Sequence, residues 1–316
     1  MTIEIKPWKS IDEQVEILLS RKLQIGNCDR AKQYLRRLGY YRLSGYWYPF
    51  RQFRETGDAQ STELRLDDFV EGSRFDDLIK LYVFDKKLRL MALDALERIE
   101  MALRVDIAHL LGERDARAHE NPACFHGNFG RRVDPQNGKT GHQIWMEKYQ
   151  QQVRRSSRAS FVAHNLRSYG CLPIWVAIEV WDFGMLSTLY EGMTFEDKRR
   201  IALKYGVPDG NTLAKYLRSL NFIRNVAAHH ARLWNVNIVD RSPVPQEEYW
   251  QQLNNARPFF YFCLMQMFLR VICPTSTWGQ RLNTLINEDF PVVESGAIKT
   301  GDFGLIDNWR TWELWA

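Results

Sequence analysis

The stretch from Phe75 to Leu111 contains neither proline nor glycine, and it constrains the possible folds more than any other part of the sequence. Apolar residues recur along it at spacings that are mostly helical, and Gly112 follows as a helix stop. The recurring residues are Leu78, Tyr82, Leu88, Ala92, Leu96, Ile99, Leu103 and Ile107. The pattern predicts one long helix or two nearly coaxial helices.

Helical periodicity also dominates the rest of the chain, and runs of alternating β-branched residues are nearly absent. We therefore predict an all-α fold, namely a helical bundle with a small N-terminal helix–turn–helix module and an irregular C-terminal tail. The predicted module covers residues 1–63, and the predicted helical domain covers residues 64–316. The tail is rich in Trp, Pro and Gly, and we expect it to wrap over the bundle.

Turn and breaker residues divide the chain further. They predict two N-terminal helices separated near Asn27, turns at Ser44-Gly45 and at Pro49, and a loop over residues 55–63. A proline at the first helical position, where its missing N–H costs nothing, predicts a single apolar helix over residues 173–190.

Charge and cysteine content exclude few classes of protein. The formal net charge of +5 is compatible with a polyanionic partner but does not demonstrate one. The five cysteines are scattered without a CxxC pair, so we expect neither a disulfide framework nor a zinc knuckle. The N-terminus lacks an apolar signal region, and the most apolar run, residues 174–190, is interrupted by Glu179 and Asp182. We therefore expect a cytoplasmic protein without a membrane span.

The stretch RNVAAHHARLWN, residues 224–235, interrupts the end of an amphipathic helix predicted over about 211–234. On a wheel of about 100° per residue, one face is apolar and is the predicted core side, with Leu213, Tyr216, Leu220, Ile223 and Ala227. The opposite face carries two Arg, two Asn and one His without a carboxylate, namely Arg218, Asn221, Asn225, His229 and Arg232. Because a solvated face favours Glu and Lys, this stripe is interpreted as a surface that meets an anion.

The wheel separates the two adjacent histidines. His229 lies on the polar stripe, four residues after Asn225, whereas His230 lies about 140° around, toward the core. We predict that His229 is functional and that His230 packs or donates a structural hydrogen bond. Arg224 lies about 100° from the stripe. Its side chain is long enough to reach around the helix, so the wheel alone does not make Arg224 a partner of His229.

Arg, Asn and His without a carboxylate cluster or a reactive cysteine suit metal-independent RNA cleavage. In this interpretation the ribose 2′-OH attacks the adjacent phosphate, His229 moves a proton and Arg224 stabilises the phosphorane. Asn225 would orient the imidazole or the phosphate, and neither a metal nor a cofactor is required. The short spacing alone leaves a purely structural reading of this helix end open.

Four blocks of sequence carry a resemblance to a known family. RNVAAHHARLWN resembles the Arg-Asn-x-x-x-His signature of HEPN-superfamily ribonucleases, in the form found in Abi-like proteins of the AbiD/AbiF type, which are bacterial abortive-infection factors. The other blocks follow in the family's order and are GYYRLSGYWYPFR (39–51), ALERIEMALR (95–104) and LPIWVAIEVWDFGMLSTLY (172–190).

The resemblance implies a HEPN-type helical domain that acts in phage defence, and a toxin–antitoxin component that holds or sequesters a small structured RNA is the alternative. By position it implies that Arg224, Asn225 and His229 are the catalytic set. It also implies an RNA partner, as substrate or as a bound small structured RNA, and a homodimer in which two motifs converge. Such a dimer would pair Arg of one chain with His of the other.

The segment YYRLSGYWYPFRQFR interleaves aromatic and arginine residues, as platforms for single-stranded nucleic acid do. The candidate RNA-binding residues are therefore Arg42, Trp47 and Arg51 from this segment and Arg218, Asn221 and Arg232 from the stripe. The alternative is that its aromatic residues belong to the core: Tyr40, Tyr41, Trp47 and Phe50. The charged residues 97–100 either orient the motif helix or face solvent. Two alternative functions stay open: RNA binding without cleavage, and a structural or regulatory dimer.

Overall fold

The structure, a computed structural model, describes residues 5–54 and 64–315. Within these residues fifteen α-helices account for most of the chain, and the one sheet has two strands. The predicted all-α fold is therefore confirmed. None of the described helices is both long enough and apolar enough to cross a membrane.

The stretch without proline and glycine forms one unbroken helix, α4, at Phe75–Gly112. No interior N–H is missing from its hydrogen-bond ladder, so nothing in the backbone forces a kink. Its buried side contacts helices from both halves of the chain, and it is the helix around which the bundle is built. The predicted apolar positions Leu88, Ala92, Ile99 and Leu103 are fully buried.

Two short helices precede the aromatic segment, α1 (Ile11–Ser20) and α2 (Cys28–Leu38). A third helix, α3 (Tyr40–Trp47), then runs through the predicted turn at Ser44-Gly45, so that prediction was wrong. The helix continues because one of its faces is buried in the core, and tertiary packing overrides a glycine's weak local preference. Pro49 lies in a 3₁₀ turn at Tyr48–Phe50.

Two antiparallel strands follow, β1 (Arg51–Arg54) and β2 (Leu64–Phe69), with Arg51 opposite Phe69. The predicted loop over residues 55–63 lies outside the described residues. The two strands pair across the predicted boundary between residues 63 and 64, and buried residues of both sides belong to one hydrophobic core.

The middle of the chain is less regular. After α4 come two 3₁₀ turns and one short α-helix, and then two longer helices. The elements are 3₁₀ Ala118–Glu120, 3₁₀ Pro122–Cys124, α5 (Gly127–Gly130), α6 (Gly141–Arg155) and α7 (Ser160–Tyr169).

The predicted single apolar helix over 173–190 is two helices, so that prediction was also wrong. The chain forms α8 (Ile174–Ala177) and a 3₁₀ turn, becomes extended at Trp181, and restarts as α9 (Phe183–Gly192). Asp182 caps α9 by accepting from Met185 N at 2.8 Å, and Trp181 is buried beside Trp145. A buried indole and an N-cap thus divide a continuous apolar run.

The remaining helices complete the bundle, and α13 is buried along most of its length against α4. The helices are α10 (Phe195–Lys204), α11 (Gly210–Ala228), α12 (Glu248–Gln251), α13 (Pro258–Ile272), α14 (Trp278–Thr284) and α15 (Thr300–Phe303). Past α13 the predicted tail packs its aromatic rings onto α13, with Phe303, Trp309 and Trp315 all against Phe259.

Candidate functional site

Helix α11 carries the start of the RNVAAHHARLWN motif. Asp209 caps the helix by accepting from Thr212 N at 2.8 Å. All five predicted core positions on α11 are at most 3% exposed, and the helix packs against α4, α9 and α10. Arg224 and Asn225 therefore lie, half-buried, in the last turn of a helix whose apolar side is packed in the core.

The helix ends at Ala228, six residues earlier than predicted at Trp234. His230 N donates to Ala227 O at 3.1 Å, and Ala231 N donates to Val226 O at 2.9 Å. This pair of bonds is a Schellman motif, whose left-handed position is usually glycine. Here that position is His230, with φ +58°.

The two histidines are both exposed. The prediction that His230 turns toward the core was therefore wrong, because the chain leaves the helix before the wheel position that pointed inward. The same early end removes Arg232 from the predicted polar stripe. Neither imidazole forms a hydrogen bond with another described residue.

A buried cluster on α4 explains why the helix stops. The Asp85 carboxylate accepts from Trp234 N at 2.7 Å and from Leu233 N at 3.1 Å, and it is fully buried. These two N–H groups point into the core instead of continuing the helix ladder. Asp85 thereby fixes the direction in which the chain leaves the motif.

Two side chains complete this cluster around Asp85. Tyr46 OH donates to Asp85 at 2.6 Å, and Arg89 forms a buried ion pair with the same carboxylate. Burial and the Asp85 charge raise the pKa of the Tyr46 hydroxyl, so it stays protonated and remains a donor. Arg89 also donates to Ala231 O at 3.3 Å. We call Tyr46, Asp85 and Arg89 the exit clamp.

Helix α3 is tied to the same turn by two arginines. Arg42 Nη1 donates to His230 O at 2.8 Å, and Arg232 Nη1 donates to Gly45 O. Burial lowers the pKa of the Arg232 guanidinium, which still remains cationic at neutral pH. The aromatic segment and the motif, far apart in sequence, therefore share one surface.

Among the three predicted catalytic residues, the structure joins two. Arg224 Nη1 donates to Asn225 Oδ1 at 3.2 Å, so the amide holds the guanidinium. His229 N donates to Asn225 O at 2.9 Å in the helix backbone, but the His229 imidazole forms no hydrogen bond with Arg224 or Asn225. Within the described residues, Arg42, Arg224 and Arg232 form no ion pair with a carboxylate.

The other predicted stripe residues are placed differently. Arg218 pairs with Glu191 at 2.6 Å and with Asp240 at 3.6 Å. The stripe is thus not free of carboxylates, because neighbouring segments supply them. Asn221 lies beside Gly184, where an added Cβ would come within 3.4 Å of its Nδ2.

The aromatic segment divides between core and surface. Trp47 is 0% exposed and offers no face to a base, as the core alternative predicted, whereas Tyr41 is 92% exposed. Arg51 pairs with Asp67 at 3.3 Å. Of the charged residues 97–100, Arg98 bonds Ser276 on the C-terminal segment, so it is not turned to the motif.

Sequence reasoning missed the exit clamp, although a signal was present. Asp85 and Arg89 stand four residues apart on α4, and both fall on its apolar side between Leu81 and Ala92. Charged residues at predicted core positions are rarely fully buried unless they are paired. That position and spacing predict a buried ion pair, but they do not identify the distant backbone that it holds.

Other features of the described residues lie apart from the motif. A groove of about 750 Å³ is lined by Trp175 and Arg200, among others, and its Lys204 is paired with Asp106 at 2.5 Å. None of its lining residues belongs to the motif. No group of three or more His, Cys, Asp or Glu in the described part of the chain is arranged to hold a metal ion.

Comparison with known proteins identifies a family. The model of the family described as "Abi-like protein" matches residues 33–235, which is more than half of the chain. That range begins in α2 and ends at the last residue of the motif. No curated protein and no solved structure matches.

Proposed function

The chain belongs to the Abi-like protein family, and we propose that it acts in abortive infection as a metal-independent endoribonuclease of the HEPN type, close to the AbiD/AbiF proteins. One observation carries the proposal. An Arg–Asn pair and an exposed histidine meet at a helix end where three arginines have no carboxylate partner among the described residues. A cytoplasmic location follows from an RNA target inside the cell.

The reaction needs one proton acceptor and one fixed cation. Neutral His229 removes the proton of a ribose 2′-OH, whose oxygen attacks the adjacent phosphorus. The guanidinium of Arg224 stabilises the phosphorane charge. Asn225 Oδ1 accepts a hydrogen bond from that guanidinium and orients it. The P–O5′ bond then breaks, the protonated His229 gives its proton to the 5′ oxygen, and the products end in a 2′,3′-cyclic phosphate and a 5′-OH.

A homodimer completes this site in the proposal. Arg224 and His229 are five residues apart, which places them about 140° from each other around the helix axis. Each chain then directs only one of the two side chains toward a given phosphate. A two-fold axis through the motif surface would bring Arg224 of one protomer to His229 of its partner.

The decisive measurement is cleavage of RNA by the purified chain in the presence of EDTA. We expect the wild type to give 2′,3′-cyclic phosphate ends and the His229→Ala variant to lose at least about 100-fold in rate. His164→Ala is the matched control, because His164 is another exposed histidine on the unrelated helix α7. Cleavage that persists in His229→Ala would contradict the proposed role.

A second candidate is RNA binding without cleavage, in which the chain holds or sequesters an RNA. The observation in its favour is that no described residue orients the His229 imidazole, whereas a general base usually has an orienting partner. A wild type that binds RNA and leaves it intact, with growth arrest unchanged in His229→Ala, would select this alternative.

A further inference from the structure

We propose that the exposed face of α3 is a stacking platform for a single-stranded segment of the RNA. The platform consists of Tyr41, Gly45 and Tyr48, flanked by Arg42 and Arg65. The inference rests on the proposed function, since it names the form in which the RNA reaches the motif.

The two tyrosines of the platform are turned away from the core. α3 buries Leu43 and Trp47, whereas Tyr41 is 92% exposed and Tyr48, just past the end of the helix, is 47% exposed. The Tyr41 ring contacts no other aromatic ring of the described residues. A large aromatic ring with so little packing adds little to stability, and its face is available to a ligand.

Gly45 lies between these rings on the same face, four residues after Tyr41 and three before Tyr48. Glycine in a helix interior costs stability relative to alanine. Neither packing nor backbone conformation requires it, because an added Cβ would meet nothing within 4 Å and its φ is not positive. The missing side chain leaves an open gap between two aromatic rings.

Two arginines supply charge beside this gap. The Arg65 guanidinium lies 5.5 Å from the Tyr48 ring centroid and 5.2 Å from that of Phe53. Neither Arg65 nor Arg42 forms an ion pair with a described carboxylate. Stacking faces interleaved with cations are what proteins use to bind single strands, whose bases are free to stack.

The platform lies next to the candidate catalytic turn. Arg42 bonds the His230 carbonyl at 2.8 Å, and Arg232 bonds the Gly45 carbonyl from the same turn. A strand stacked on α3 would therefore present its next phosphates to His229. The sequence suggested Trp47 as an RNA-binding residue, but Trp47 is buried, and Tyr41 is the exposed ring that serves as the stacking face.

The test measures binding separately from cleavage. The probe is a fluorescent single-stranded RNA with 2′-O-methyl groups, which cannot be cleaved by 2′-OH attack, and the readout is anisotropy. We expect Tyr41→Ala to weaken binding about 5- to 100-fold and Tyr41→Phe to retain it. Tyr169→Ala is the control, because Tyr169 is 68% exposed on α7. A duplex of the same sequence should bind more weakly.

The Gly45→Ala variant distinguishes a role of Gly45 in RNA binding from a role in the stability of α3. We expect a higher melting temperature together with weaker binding of the probe, because the methyl group favours the helix but fills the gap. Unchanged probe binding in both Tyr41→Ala and Gly45→Ala overturns the platform, and wild-type cleavage would then leave the proposed nuclease standing. Loss of binding in both variants, from a wild type that does not cleave, supports the platform and overturns the nuclease.

Discussion

At the scale of single residues, His230 has an unusual backbone conformation for a residue other than glycine. It is one of three described non-glycine residues with positive φ, and it occupies the glycine position of a Schellman motif. Strained backbone of this kind concentrates at functional sites. An exposed imidazole that serves no packing, next to His229, is consistent with retention for its chemistry.

Replacement of His230 by glycine should therefore stabilise the fold. We expect His230→Gly to raise the free energy of unfolding by about 1 kcal/mol, because a side chain in the left-handed region is relieved of its steric cost. Urea denaturation measures it. His229→Gly is the neighbouring control, and we expect it to lower the free energy of unfolding. His229 has φ −86°, so no strain is relieved there, and the glycine only raises the conformational entropy of the unfolded chain. A His230→Gly variant that is less stable than wild type would contradict the proposal that the His230 backbone is strained.

At the scale of elements, the end of α11 is decided by α4. The exit clamp holds two backbone N–H groups of residues 233 and 234 in a fully buried site. Removing the carboxylate would leave those donors unsatisfied and Arg89 without its counter-ion. Both costs are large in a core, because water cannot replace the lost partner.

We expect Asp85→Ala to lower the free energy of unfolding by about 3–5 kcal/mol, as measured by urea denaturation. The double variant Asp85→Ala with Arg89→Leu should be less destabilised than Asp85→Ala, because it buries no unpaired charge. Asp94→Ala is the control on the same helix, and its partly exposed pairs with Arg98 and Arg281 are worth about 1 kcal/mol or less. Asp85→Ala within about 1 kcal/mol of wild type would refute the clamp.

At the scale of the whole molecule, the proposed dimer makes a quantitative prediction. Equal amounts of Arg224→Ala and His229→Ala chains, each inactive alone, should recover about a quarter of wild-type cleavage after mixing. Half of the dimers are then hybrids, and each hybrid contains one intact pair, with Arg224 from one chain and His229 from the other. No recovery from chains that demonstrably exchange would show that each site belongs to a single chain.

Much of the fold was predictable because its apolar residues repeat at helical spacing. The long helix α4 and the five core positions of α11 follow from that repeat, since a helix buries whichever side its apolar residues share. The sequence also placed Arg224 and Asn225 on this helix, but it predicted neither their position in the last turn nor the hydrogen bond between them.

The errors share one cause. The passage of α3 through Gly45, the break at Trp181 and the end of α11 at Ala228 are each decided by packing or hydrogen bonds from other parts of the chain. Local preferences amount to about 1 kcal/mol or less per residue, and a buried contact outweighs them.

The sequence by itself therefore determined the class of fold, the buried sides of its longest helices and the residues of the motif. Only the tertiary structure decided that His230 is exposed like His229, and that Arg42 and Gly45 of α3 lie against the same turn. The physical reason is that periodicity encodes which side of a helix is buried, whereas the direction of a chain after its last turn depends on partners. Here the partner is Asp85, 148 and 149 residues away along the chain.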